Sequence, residues 1–138
     1  MMSDKDILVM VYGTLKKGQY NHVYMQDIDA EFIDNVVSKE SIYQMVGVGD
    51  AFPGIVAGDK QFQGELYRVP LDGVFSALDY LEGYPVMYTR GFITVKSMTN
   101  GKEYSALVYF LTQSFIESTQ IEMESPYIRL EGNIYNWE

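Results

Sequence analysis

The feature that most constrains the fold is a strong β-hairpin signal in the second half of the 138-residue chain. The runs Tyr88 to Met98 and Tyr104 to Leu111 have strand-like composition and flank Asn100-Gly101, a dipeptide that favours tight hairpin turns. The second run ends in SALVYFL, which is apolar on both faces of an extended chain. Strands of that kind are covered on both faces. The sequence therefore predicts a hairpin whose second strand is central in a sheet.

Further short strands are predicted along the first half of the chain. Ile7 to Val11 is wholly apolar, as expected of a buried strand, and Phe62 to Val69 is a second candidate. Residues 31–47 are rich in β-branched side chains and predict two strands, with a break near residues 38–41. The sequence FPG at residues 52–54 has turn composition. Because many short strands accompany few helices, we predict an α+β fold built on a closed or nearly closed mixed sheet.

The composition limits the classes of function. Hydrophobic residues make up 47% and charged residues 21% of the chain, which is typical of one compact domain spanning residues 1–138. Ten basic and nineteen acidic side chains give a formal net charge of −9, which disfavours nucleic-acid binding. The absence of cysteine excludes disulfides and thiolate nucleophiles. The N-terminus lacks a signal-peptide pattern, and the apolar run after it is too short to span a membrane. We therefore expect a cytoplasmic protein that does not bind membranes.

The clearest helix is predicted over Leu71 to Glu82. Successive side chains of an α-helix are separated by about 100°, so the faces of this helix can be assigned. One narrow stripe holds Leu71, Phe75, Leu78 and Glu82, whereas other faces hold Ser76, Asp79 and Tyr80. A carboxylate is thus expected on the same side as the leucines, towards the core. The different facing of the two acidic residues argues against a coupled carboxylate pair.

Glu82 is predicted to have an unusual environment at the end of this helix. Gly83 is a typical C′ residue, which ends a helix in a left-handed turn. Burial and the negative end of the helix dipole both disfavour an anion there, and both raise the pKa of Glu82 above its usual value of about 4.3. A carboxylic acid with a raised pKa is suited to general acid–base catalysis. The alternative is a solvated glutamate on a frayed last turn.

A loop follows the first predicted strand. The sequence GTLKKG, residues 13–18, has the glycine spacing of a phosphate loop, but Gln19-Tyr20 replaces the lysine and hydroxyl residue that NTPases require. Successive N–H groups of such a loop can cradle a carboxylate or a developing oxyanion, and the alternative is a simple turn. His22 is the only histidine. We therefore expect no histidine-based triad and no multi-histidine metal site, and a structural hydrogen bond is the usual role of such a residue.

Five motifs occur in an order that resembles the gamma-glutamylcyclotransferase-like family, especially its gamma-glutamylamine cyclotransferase and AIG2-like branch. They are VYGTLKKGQYNH, FPGI, GELYRV, LDYLEGYPVMYTR and ALVYF. The Y-G-T-L loop with K-x-G-x-x-N-H, and the L-D-x-x-E-G block with Y-x-R, are specific when they occur together. The resemblance covers residues 8–112, whereas residues 113–138 form a C-terminal tail that matches no motif. The pattern of this tail predicts a short helix followed by a last strand or a packed tail.

The resemblance implies a small mixed β-barrel flanked by helices, with an active site in a cavity at its mouth. The essential glutamate of the family corresponds to Glu82. Family members bind the γ-glutamyl group through the Y-G-T-L loop, chiefly with backbone groups, and carry aromatic residues in later motifs. The matching positions, expected to bind substrate here, are Tyr12, Gly13, Thr14, Leu15, Tyr88 and Tyr109.

The resemblance also implies a reaction that needs no cofactor and no metal. The α-amine of a small γ-glutamyl amine or γ-glutamyl amino acid attacks its own γ-carbonyl and releases 5-oxoproline, with Glu82 as general acid and base. One alternative is a non-catalytic module that binds a small ligand or a protein on the same barrel. Another is transfer of the γ-glutamyl group to an external amine. The sequence leaves open whether the loop amides contact the oxyanion or the α-carboxylate, which amine leaves, and how many chains assemble.

Overall fold

The computed structural model describes residues 6–48, 51–119, 121 and 125–138. The strands in these ranges are β1 (Asp6–Val11), β2 (Glu31–Ser38), β3 (Tyr43–Val48), β4 (Phe52–Ala57), β5 (Gln61–Pro70), β6 (Tyr88–Ser97), β7 (Glu103–Leu111), β8 (Ile128–Glu131) and β9 (Ile134–Trp137). The helical elements are α1 (His22–Asp27), α2 (Leu71–Gly73), a π-helical turn (Val74–Leu78), α3 (Asp79–Leu81) and α4 (Gln113–Ser118). Among the described residues, no helix is long and apolar enough to cross a membrane.

Five of the strands close into a barrel. Their order is β1-β7-β6-β2-β5, and β5 pairs in turn with β1. β1 runs parallel to β7, with Val9 opposite Leu107, and the other four pairings are antiparallel. β6 and β7 form the predicted hairpin, and Gly101 in its turn has a φ of +77°. The prediction of an α+β fold around a small mixed barrel is confirmed.

Both faces of the central strands are buried, which explains their continuous apolar sequence. In β1, Val9 packs in one hydrophobic cluster and Met10 in a second cluster on the other face. β7 is buried in the same way, with Leu107 in the first cluster and Val108 in the second. The predicted central position of β7, between β1 and β6, is therefore confirmed.

Strand β4 corrects one expectation, because residues 52–54 lie in a strand and not in a turn. β4 pairs with β3 in a separate two-stranded sheet, with Pro53 opposite Gly47. Proline is tolerated in such an edge strand because it removes no required ladder hydrogen bond. A Cβ on Gly54 would lie 2.2 Å from Cδ1 of Leu111. The glycine therefore allows β4 to pack closely against β7, and the turn-like composition reflects packing.

The C-terminal tail folds onto the barrel. α4 begins after Thr112, whose Oγ1 accepts a hydrogen bond from the N–H of Phe115 over 3.2 Å. β8 and β9 form an antiparallel hairpin, and β9 runs parallel to the start of β5. The sequence pattern suggests a short helix followed by one strand or a packed tail, whereas the structure has a helix and two strands. Residues 120 and 122–124 of this stretch lie outside the described ranges.

Candidate active site

The helical segment of residues 71–81 fixes the position of Glu82. α2, the π-helical turn and α3 follow one another without a break, so the predicted helix is confirmed over its length. Gly83 follows with a φ of +65°. Its N–H donates to the carbonyl of Tyr80, and the N–H of Tyr84 donates to that of Asp79. This is the Schellman pattern of a helix C-terminus, and Glu82 therefore occupies a firmly capped helix end.

Asp79 corrects the predicted helix faces. In the π-helical turn, the N–H of Asp79 donates to the carbonyl of Val74, five residues earlier, which adds one residue to that turn. A regular α-helix would direct Asp79 away from the core, whereas the observed residue is buried with 9% exposure. Tyr80 is 88% exposed, as predicted. The side chains of Phe75 and Ser76 lie outside what the structure describes.

A cavity of about 250 Å³ lies between the loop after β1, the start of β4 and this helix end. Its apolar walls include Phe52, Leu81 and Met87. All seven residues that the sequence singled out line it, although as many as 97 positions separate them: Tyr12, Gly13, Thr14, Leu15, Glu82, Tyr88 and Tyr109. The structure therefore brings the predicted set together in one place. The roles of these residues in binding and catalysis stay predictions.

The loop after β1 lies close to β4, and several of its backbone amides have no partner among the residues that the structure describes. A Cβ on Gly13 would lie 2.7 Å from Cγ of Pro53, so only glycine permits this approach. Within the described part of the chain, the N–H groups of Gly13, Thr14 and Leu15 donate to no protein acceptor. Successive free amides beside a cavity can bind a carboxylate or a developing oxyanion.

The end of the K-x-G-x-x-N-H motif braces this loop. Nδ2 of Asn21 donates to Oγ1 of Thr14 over 3.0 Å, and the N–H of Asn21 donates to the carbonyl of Thr14 over 3.0 Å. Nδ1 of His22 donates to the carbonyl of Leu15 over 2.8 Å. The structural role expected for His22 is therefore what the structure shows. Sequence reasoning did not place Asn21 in the site, although its presence in the motif was an available signal.

Three tyrosines that line the cavity donate hydrogen bonds from their hydroxyl groups to other groups of the protein. The hydroxyl of Tyr12 donates to the carbonyl of Tyr109 over 2.7 Å, and that of Tyr88 donates to the carbonyl of Pro53 over 2.7 Å. The hydroxyl of Tyr109 donates to Oδ1 of Asp79 over 2.6 Å. These bonds fix the three rings in place. The rings contribute apolar wall, and their phenolic oxygens can still accept a hydrogen bond.

Asp79 and Arg90 form an ion pair behind the cavity that sequence reasoning did not place there. Nε of Arg90 donates to Oδ1 of Asp79 over 2.9 Å and Nη2 donates to Oδ2 over 3.1 Å. Burial raises the pKa of Asp79, but the hydrogen bonds from Arg90 and Tyr109 outweigh it, and the pKa lies below its usual value. Asp79 therefore stays ionised. Asp79 belongs to the L-D-x-x-E-G motif and Arg90 to the Y-x-R motif. Their presence in these motifs was the available signal that both lie near the site.

Glu82 contrasts with Asp79 in its surroundings. Among the described residues, no hydrogen bond or ion pair reaches its carboxyl group. Burial raises the pKa of Glu82 to about 7, as predicted in direction. Burial also raises the pKa of Tyr12 and of Tyr88, and the nearby Glu82 charge raises both further. The pKa values of these two carboxyl groups, three residues apart, are thus shifted in opposite directions. Of the two, only Glu82 can exchange a proton near neutral pH.

The fold and the site define a small barrel enzyme with one poised carboxylic acid and free backbone amides in the same cavity. The family described as "Gamma-glutamyl cyclotransferase, AIG2-like" matches residues 9–129. The chain belongs to this family and is an enzyme of the gamma-glutamylcyclotransferase type. The match extends past residue 112, where the motif resemblance ends, into the C-terminal tail.

Individual relatives agree with this assignment. The chain is 34% identical to gamma-glutamylaminecyclotransferase A of Danio rerio over 110 residues, which cover 75% of this chain and 68% of that protein. It is 39% identical over 83 residues to a Vibrio cholerae protein provisionally named gamma-glutamylcyclotransferase, covering 60% and 68% of the two chains. The crystal structure of an AIG2-like protein from Mus musculus matches with a TM-score of 0.71 at 26% identity, covering 96% of this chain and 97% of that one.

Proposed function

We propose that this enzyme releases 5-oxoproline from a small γ-glutamyl amine or γ-glutamyl amino acid, with Glu82 as general acid and base. The proposal is carried by the Glu82 carboxyl group in the cavity, which has no partner within the described ranges and whose pKa burial raises to about 7. Such a group can both accept and donate a proton near neutral pH. The names of the zebrafish relatives, gamma-glutamylaminecyclotransferases A and C, support this substrate class.

The reaction closes a five-membered lactam within the substrate. The α-amino nitrogen attacks the γ-carbonyl carbon, and the carboxylate of Glu82 takes a proton from that nitrogen as the new C–N bond forms. When the tetrahedral intermediate collapses, the bond from the γ-carbon to the leaving nitrogen breaks, and Glu82 returns the proton to that nitrogen. The products are 5-oxoproline and the free amine, so the atoms balance without water or another reactant. Because both reacting groups belong to one molecule, holding it folded supplies much of the rate.

The loop and the tyrosines provide the binding groups of this mechanism. The free amides of Gly13, Thr14 and Leu15 hold an oxygen anion of the substrate, which is either its α-carboxylate or the oxyanion of the intermediate. The hydroxyl protons of Tyr88 and Tyr109 are already donated within the protein. These tyrosines therefore receive a hydrogen bond from the substrate amine and do not donate one to its carbonyl.

A substrate analogue separates the two uses of the loop. A γ-aminobutyryl amide has the same amine and carbonyl as the glutamyl substrate but lacks the α-carboxylate. If the amides hold the carboxylate, Gly13→Ala will slow the glutamyl substrate and leave the analogue unaffected. If the amides hold the oxyanion, the substitution will slow both by the same factor.

The proposed function is tested by measuring 5-oxoproline and free amine released from γ-glutamyl-ε-lysine and from γ-glutamyl-alanine. Glu82→Gln is expected to lower kcat by about 10²- to 10⁴-fold, the usual contribution of general acid–base catalysis, without any loss of thermal stability at pH 7, so that unfolding does not account for the lost activity. Glu117→Gln, at an exposed position, is the matched control and is expected to keep full activity. Binding without turnover would favour the non-catalytic module, and a γ-glutamyl product on an added amine would favour transfer. Full activity in Glu82→Gln would exclude the role given to that residue.

A further inference from the structure

We infer that Lys16 positions the substrate loop by tying it to the C-terminal hairpin, which makes strand β9 a functional part of the active site. The inference rests on the proposed function of the loop. Lys16 directly follows Leu15, the last of the three free amides. Its Nζ donates to Oδ1 of Asn136 over 2.9 Å and to the carbonyl of Trp137 over 2.5 Å. Both acceptors lie on β9, about 120 residues away in the chain.

The surroundings of Lys16 are unlike those of a surface lysine. Burial lowers the pKa of Lys16, and the carboxylates of Glu65 and Glu138 partly offset this effect. Hydrogen bonds from a charged donor are about twice as strong as those between neutral groups. Releasing this ammonium group from β9 would break two hydrogen bonds of a partly buried charge, which is costly. We therefore expect the two hydrogen bonds from Lys16 to β9, here called the tether, to persist in solution.

The hairpin is held by strands β5 and β3 independently of the loop. β9 pairs with β5 at Gln61 and Phe62. The hydroxyl of Tyr135 accepts a hydrogen bond from Nε2 of Gln44 on β3 over 2.8 Å. Trp137 is only 2% exposed. A strand anchored in this way gives Lys16 a fixed point, because movement of the loop must break bonds to a rigid element.

The neighbouring lysine has a different role, although it has the same chemistry. The backbone N–H of Lys17 donates to Oε1 of Glu65 over 2.9 Å. Its side chain is exposed, and its Nζ lies 4.0 Å from the ring centre of Phe32. Lys17 therefore contributes a backbone bond to the loop, whereas Lys16 contributes its ammonium group. This difference provides a matched pair within one loop.

The functional consequence follows because Lys16 is next to the loop amides in the chain. If Lys16 loses its ammonium group, the amides of residues 13–15 remain, but one of the contacts that fixes them is lost. Misplacement of a binding group by about 1 Å can cost on the order of 10²-fold in rate. The acceptors on β9 lie beyond residue 129, where the family match ends. The hairpin thus supplies hydrogen-bond acceptors for the loop that lie outside the family motifs.

The test compares Lys16→Met with Lys17→Met, since each removes one positive charge from the same loop. We expect Lys16→Met to lower kcat/KM for 5-oxoproline release at least about 10-fold, and Lys17→Met to stay within about 2-fold of the wild type. Assays well below the unfolding temperature, with kcat and KM determined separately, distinguish misplacement from lost stability. Asn136→Ala removes one acceptor and should lower kcat/KM less, whereas Asn136→Asp keeps an acceptor and should retain activity. In the Lys16→Met background, Asn136→Ala should have no further effect, because contacting groups are not additive.

A second measurement does not depend on turnover. The N–H of Asn21 donates to the carbonyl of Thr14 within the loop, so its hydrogen exchange reports how firmly the loop is held. We expect faster exchange at Asn21 in Lys16→Met and Asn136→Ala, and unchanged exchange in Lys17→Met. Unchanged kinetics and exchange in Lys16→Met, or equal effects of both lysine substitutions, would overturn the inference while the proposed function stood. A wild-type enzyme that releases no 5-oxoproline would overturn the proposed function, and the exchange data would still decide whether the tether exists.

Discussion

The hydroxyl of Tyr109 donates to Oδ1 of Asp79 over 2.6 Å, although 30 residues separate the two in the chain. This bond joins strand β7 to the helical turn that precedes Glu82. Arg90 on β6 binds both oxygens of the same carboxylate. Because Asp79 and Glu82 lie on one helix end, two strands of the barrel determine where the Glu82 carboxyl group lies. The ionised Asp79 carboxylate is thus structural. The carboxyl group of Glu82, which no hydrogen bond or ion pair among the described residues reaches, is the one that the proposed function assigns to proton transfer.

The Asp79–Arg90 pair should contribute measurably to stability. Asp79→Asn keeps the shape of the side chain but removes the negative charge that the Arg90 guanidinium faces. We expect the free energy of unfolding at pH 7 to fall by about 2–4 kcal/mol, a little below the cost of breaking a fully buried pair. Denaturant titration measures this change. Glu103→Gln breaks the exposed pair with Lys39 and should cost less than about 1 kcal/mol. Equal losses of unfolding free energy in the two variants would show that the Asp79–Arg90 pair stabilises the protein no more than an exposed ion pair does.

The activity should depend on pH through Glu82. The base form of Glu82 is the carboxylate, and burial raises its pKa to about 7. We therefore expect kcat/KM to rise with pH through about 7 and to fall about tenfold for each unit below it. The profile is measured with γ-glutamyl-alanine between pH 5 and pH 9. Glu82→Asp keeps a carboxyl group but shortens its reach, so its residual activity should still show a carboxyl titration, whereas the residual activity of Glu82→Gln should follow only the titration of the substrate amine. A wild-type profile that is level down to pH 5 would contradict the assignment.

The same group should make stability depend on pH in the opposite sense. The pKa of Glu82 is raised from about 4.5 in the unfolded chain to about 7 in the folded protein. Its contribution to stability is therefore full below pH 4.5 and is lost as the pH rises through 7. Glu82→Gln has no charge to bury, so between pH 5 and pH 8 it should gain on the order of 3 kcal/mol relative to the wild type. Denaturant titrations at these two pH values measure the difference, and Glu117→Gln should show none.

Much of the barrel could be predicted because its strands have clear local signals. Asn100-Gly101 specified the β6–β7 hairpin, and the apolar run from Ile7 matched β1, since both of its faces are buried. The prediction of a turn at residues 52–54 was wrong because of the glycine at position 54. It reads locally as a turn residue, but its small size is needed for contact with Leu111, which lies 57 positions further along the chain. Contacts of that range have no local signature.

The site was predictable to the extent that its residues belong to motifs. Gly83 correctly indicated the helix end and hence the place of Glu82. The burial of Asp79 was not predictable from a period of 3.6 residues, because the π-helical turn changes the phase between Val74 and Leu78. The contacts of Lys16 with β9 were equally hidden, since nothing in either segment alone indicates that the two meet. Pairings between distant elements therefore account for most of what the sequence did not reveal.

The close approach of the loop to β4 gives a last prediction, at Gly13. A Cβ at this position would lie 2.7 and 2.8 Å from Cγ and Cδ of Pro53, so Gly13→Ala must displace either the loop or the proline. Because the amides of the loop bind the substrate in the proposed mechanism, we expect kcat/KM to fall about 10²-fold, as for a displacement of about 1 Å. Gly91→Ala on β6 is the matched control, since a Cβ there meets no atom within 4 Å, and it should keep wild-type activity. Steady-state assays of both variants decide the matter, and a fully active Gly13→Ala would show that the amides can shift without consequence for the reaction.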